Sequence, residues 1–82
     1  METIRGTAQE VRIESVSITI SDSARNGKSV SIRLDEIVAV RANGNSVEIE
    51  SNSGFSSTRT FVEFSSYSDA SNACRKIYAA TP

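Results

Sequence analysis

The chain has 82 residues, a formal net charge of −1, one cysteine and no histidine. That length suits one small domain, 1–82, and the near-neutral balance supplies no global field for nucleic acid or an anionic membrane. A lone Cys74 excludes an internal disulfide, and one Cys without His cannot assemble a Cys/His zinc site, so neither metal nor cofactor is expected.

The apolar set is branched: Val and Ile number fifteen, and Leu34 is the one leucine. Branched side chains suit pleated sheet. The twenty-one Ser and Thr residues then fall on the solvent faces of strands. A core this small sits near the lower limit for independent stability, which leaves self-association open as an aid. "METIRGTAQE" has no apolar export stretch and nothing approaches the length of a membrane span. With a free cysteine, the expected location is cytoplasmic.

In chain order, the first strand is expected at about 8–20. Its alternation slips phase: Val11 and Ile13 are odd, whereas Val16, Ile18 and Ile20 are even. A one-residue slip turns side chains to the other face, so a bulge or bend is placed at Glu14–Ser15. "ARNGKS" signals a hairpin into a strand at about 28–34. A three-residue turn, Arg25-Asn26-Gly27, pairs Ile20 with Ile32 and Ile18 with Leu34 and so keeps apolar residues on one face. Asp35-Glu36 interrupts the pattern as a kink before a strand at about 37–42. "RANGNS" is the second hairpin signal. A two-residue Asn43-Gly44 turn of type I′ pairs Val40 with Val47 and Val38 with Ile49, leading into a strand at about 46–51. "SNSGFSST" follows as a longer polar loop, and "TRTFVEF" returns as a strand at about 57–64.

The last segment is helical, at about 67–79. Tyr67, Ala70, Ala73, Cys74, Ile77 and Tyr78 fall on one arc at 3.6-residue spacing. Ser66 and Asp69 have capping-box spacing, and Arg75 and Lys76 lie toward the end favoured by the helix dipole. The resulting class is α+β: an antiparallel meander of about five strands with one C-terminal amphipathic helix packed on the sheet.

No catalytic constellation is present, and the chain reads as a non-enzyme. Adjacent Asp35 and Glu36 point to opposite faces, and Glu48 and Glu50 share a face that should be solvated. Cys74 sits on the apolar stripe with no activating base in sight, as a buried small hydrophobe. Alternation sends Val62 and Phe64 to the helix-covered face and Arg59 and Phe61 to the other. Phe55 stands in the Gly/Ser loop. Phe55, Arg59 and Phe61 are therefore the candidate partner-binding residues. Ser53, Gly54, Ser56 and Ser57 are the candidate ligand-binding set, as an anion nest for a phosphate or nucleotide.

The run "SVSIRLDEIVAV…SVEIES…TRTFVEFSSYSDASNACRKIY", with Leu34, Ile37, Val40, Ile49, Phe64, Asp69, Ala70 and Ile77 in rhythm, resembles small bacterial pleckstrin-homology or GRAM-like domains over roughly 11–79. The resemblance implies strands closed by a helix; the basic headgroup cluster of such domains is not evident here. "RTFVEFSSYSDASNAC" resembles the third strand and second helix of an RNA-recognition motif, but Arg59 and Thr60 stand where that family has its earlier aromatic and Gly. RNA binding therefore ranks last among the binding readings. The leading expectation is a protein-interaction module of PH-like fold with a protein partner, homodimerisation included. A stand-alone inhibitor or accessory protein of phage type is its sharper form, and ligand sequestration by the Ser/Thr/Arg loop is the alternative.

Overall fold

The computed structural model describes residues 2–22 and 28–81. Among these residues seven strands form two antiparallel sheets. The first contains, in order, β1 (Glu2–Arg5), β2 (Gln9–Ile13), β3 (Ser17–Asp22) and β4 (Lys28–Arg33). The second contains β5 (Ile37–Asn43), β6 (Ser46–Ser53) and β7 (Ser56–Glu63). A 3-10 turn, Leu34–Glu36, joins the sheets where the Asp35-Glu36 kink was expected. Helix α1 (Tyr67–Ala80) follows and packs against β5 and β6.

The α+β class, the antiparallel meander and the closing helix hold. The count of about five strands does not. The expected strand 8–20 is two strands, because the phase slip is a reversal rather than a bulge. Ile13 pairs with Ile18, and the chain turns at Ser15-Val16 with the Glu14 N–H donating to the Ser17 carbonyl at 2.8 Å. Val16, the apolar residue that broke the alternation, is a turn residue and exposed. Residues 2–5 add a further strand against β2.

Register differs from expectation in both Asn-Gly hairpins by two residues. Ile18 pairs with Ile32 and Ile20 with Val30; the Arg25-Asn26-Gly27 turn itself lies outside the described residues. In the second hairpin Val40 pairs with Ile49 and Ala42 with Val47, so the turn is Gly44-Asn45, with Gly44 at φ 63°. A shift of two residues preserves which face each side chain occupies, so the apolar pattern cannot detect it. At Val38 the register breaks between Ile37 and Ala39; Ile37 and Val40 pack against the core and Val38 is exposed rather than paired with Ile49.

The inner faces of both sheets and one stripe of the helix build a single core. Val11, Ile18, Val47, Ile49, Val62, Ala70 and Ile77 are wholly buried there, with Phe64 and Ala73 nearly so. Burying a Val, Ile or Phe side chain is worth about 1.5–3 kcal/mol, so this cluster dominates the favourable side of folding. The helix begins as its capping pattern predicts: Asp69 N–H donates to Ser66 Oγ at 3.2 Å. The Asp69 carboxylate, however, accepts from the Ser65 hydroxyl at 2.9 Å, not from the Ser66 backbone. The buried arc is narrower than expected. Tyr67 and Tyr78 are exposed, and Cys74 is only partly covered. Lys76 lies short of the last turn and pairs with Glu2 at 2.6 Å, tying the helix to β1.

The two sheets also meet at a corner. Gly6 sits so close to β7 that an added Cβ would lie 2.3 Å from the Glu63 carbonyl oxygen. Thr7 N–H donates to that carbonyl at 3.0 Å. The Gln9 side chain completes the joint: its Nε2 donates to the Phe61 carbonyl at 3.2 Å, and its Oε1 accepts from the Glu63 N–H at 3.1 Å. A side-chain amide here takes the place of a neighbouring strand. Among the described residues no helix is long and apolar enough to cross a membrane.

Candidate interaction site

β6 and β7 form a tight hairpin. Ser53 pairs with Ser56, leaving Gly54-Phe55 as a two-residue turn with Gly54 at φ 63°. This corrects the expected longer loop over "SNSGFSST": its hydroxyl residues continue the two strands. The four candidate ligand residues therefore lie at a hairpin tip. Ser53 and Ser56 are ladder partners of each other, Gly54 is in the turn, and Ser57 pairs with Asn52. Of these, Ser53 and Ser56 turn their backbone groups toward each other across the ladder.

The three candidate partner-binding residues are all exposed, but not as one cluster. Phe55 is at the tip with no side-chain cover, and Phe61 is about half exposed. Six residues of extended chain separate them by about 20 Å. Arg59 and Phe61 share the outer face of the second sheet, opposite Glu50 and Glu48 respectively. Val62 and Phe64 are buried, as the alternation requires.

That outer face carries a charge row. Arg41 Nη1 lies 2.9 Å from Glu48 Oε2 and 3.4 Å from Glu50 Oε1; Arg59 Nε lies 3.8 Å from Glu48 Oε2. The Glu48 and Glu50 side chains are only 15% and 23% exposed, so they are less solvated than expected. Two guanidiniums balance two carboxylates in this row. Arg59, at 3.8 Å, is beyond hydrogen-bond distance from its partner and keeps its donors available.

Gln9 escaped the sequence reading. Its contacts are 52 and 54 residues away, and nothing in the local pattern marks it. Cys74 is a free thiol whose pKa is raised by partial burial, the opposite of an activated nucleophile. Among the described residues no group of three His, Cys, Asp or Glu side chains is placed to hold a metal ion. No protein-family model matches the chain, and a search of curated proteins finds no significant relative.

Proposed function

We propose that this chain is a non-enzymatic protein-interaction module that binds through the edge and outer face of β7. The observation that carries the reading is that β7 ends its sheet and, among the described residues, has no strand beyond it, with Phe55, Arg59 and Phe61 exposed. Such an edge presents backbone donors and acceptors to an incoming strand, and flanking side chains select the partner. Four plus three antiparallel strands closed by a C-terminal helix support the likeness to pleckstrin-homology and GRAM-like domains. Small size, with no metal-holding cluster among the described residues, supports an inhibitor or accessory role, and a free cysteine supports a reducing setting.

The test uses a displayed library of extended peptides. Replacing both Phe55 and Arg59 with Ala should reduce peptide capture several-fold while leaving the thermal melt unchanged. Capture equal to that of the parent protein would remove these residues from the site.

A further inference from the structure

We propose that the edge of β7 is occupied by a second copy of this chain, paired antiparallel about a two-fold axis at Thr58. This rests on the interaction-module reading and names its partner.

Ladder parity defines the available edge. Ser53 and Ser56 close a two-residue turn, so they are a hydrogen-bonded pair, and such pairs alternate along the ladder. Residues 56, 58, 60 and 62 therefore turn their backbone groups toward β6. Residues 57, 59, 61 and 63 turn theirs outward. The corner contacts agree: the Phe61 carbonyl and Glu63 N–H meet Gln9, and the Glu63 carbonyl meets Thr7. What stays open is both groups of Ser57, both groups of Arg59, and the Phe61 N–H. The window is bounded by the Gly54-Phe55 turn at one end and by Gln9 at the other.

One antiparallel self-register uses this window most fully; an axis at Ser57 would engage only that residue's own two groups. With the axis at Thr58, Ser57 faces the second copy's Arg59 and the converse, giving four backbone hydrogen bonds. An axis at Arg59 would set two guanidiniums directly opposite, which is unfavourable, and would need the carbonyl that Gln9 already holds. An axis at Thr60 would need the same carbonyl and drive the incoming strand into Gln9. With the axis at Thr58, the incoming chain turns away at its own Gly54-Phe55 just as it reaches Gln9.

That register also explains the two exposed phenylalanines. It sets Phe55 of each copy opposite Phe61 of the other, uniting residues that one copy holds about 20 Å apart. Two aromatic pairs and two edge strands leave water, on the order of 1,000 Å², the lower range for a specific interface. The three-stranded sheets merge into one of six strands, and the edge liability disappears.

Sedimentation equilibrium across a concentration series should give a species of twice the 8.8 kDa chain mass. Ser57→Pro removes an outward N–H while sparing the bonds to β6, and should yield a folded monomer whose melt no longer depends on protein concentration. In a Cys74→Ser background, Thr58→Cys should oxidise to a covalent dimer, because opposed Cα atoms in a non-hydrogen-bonded pair lie about 4.5 Å apart. Thr60→Cys should not. If Ser57→Pro fails to fold, the cross-linking pair still decides. A monomer at every concentration overturns the proposal, and so does a dimer that cross-links through residue 60 but not 58. A monomer that still captures extended peptides through β7 overturns the second copy as occupant and leaves the interaction module standing.

Discussion

Gly6 and Gly44 differ in what a methyl group would meet. At Gly6 the obstacle is backbone, the Glu63 carbonyl at 2.3 Å, so Gly6→Ala must part the two sheets at their corner. The expected loss is about 1–3 kcal/mol, the range for overpacking. At Gly44 there is open space but φ is +63°, so Gly44→Ala should cost about 1 kcal/mol from backbone strain alone. Urea melts of the two variants should therefore rank Gly6→Ala as the more damaging; the reverse order would mean that the corner is loosely held. Phe64 is the largest wholly packed side chain. Phe64→Ala should cost about 3–5 kcal/mol, a large share of the total stability of a domain this small. Cys74 supplies a pH dependence. Burial raises its pKa, so the folded thiol binds its proton more tightly than the unfolded one. Its contribution is fully present below the unfolded thiol pKa and is lost as pH rises through the folded value. Denaturant midpoints should decline above about pH 8.5, and Cys74→Ser should remove part of that decline.

At the scale of elements, the helix was the most readable part of the sequence, since its period and cap are both local. Ser66→Ala should lower stability by about 1 kcal/mol, measurable as a shift in the thermal midpoint. The outer limits of its buried stripe were less readable. Tyr67 and Tyr78 lie on the apolar arc by angle, but they stand in the first and last turns of the helix and stay exposed. Strand existence was readable for β4 to β7 and strand register was not. Alternation constrains register only modulo two, and the observed pairings of Ile18 with Ile32 and Val40 with Ile49 respect the faces while shifting the partners. The break between β2 and β3 was visible as a phase slip, but a slip alone does not distinguish a bulge from a turn. Of the candidate site, the exposure of Phe55, Arg59 and Phe61 was readable from alternation and loop composition. Their separation along β7 was hidden, because it depends on the turn being two residues rather than a long loop.

For the molecule as a whole, the corner formed by Gly6, Thr7 and Gln9 was invisible in the sequence because its partners lie in β7, more than fifty residues away. It sets how far the open edge extends, and so which residues a partner can reach. Gln9→Ala should lengthen that edge by freeing the Phe61 carbonyl and the Glu63 N–H, while Thr7 still holds the Glu63 carbonyl. It removes two net hydrogen bonds, for a stability loss of about 1–2 kcal/mol. The same joint also has a place in time. Each hairpin closes a short loop, and the helix needs only its own turns, whereas the Gln9 contacts join residues 52 and 54 positions apart. They are therefore expected to form after the rate-limiting step. In a chevron plot Gln9→Ala should raise the unfolding limb several-fold, while the refolding limb stays where it was. A refolding limb displaced by the full stability change would instead make this corner part of the folding nucleus. With the refolding limb in place, the amide that limits the open edge governs how long the native state persists, but not how quickly it is reached.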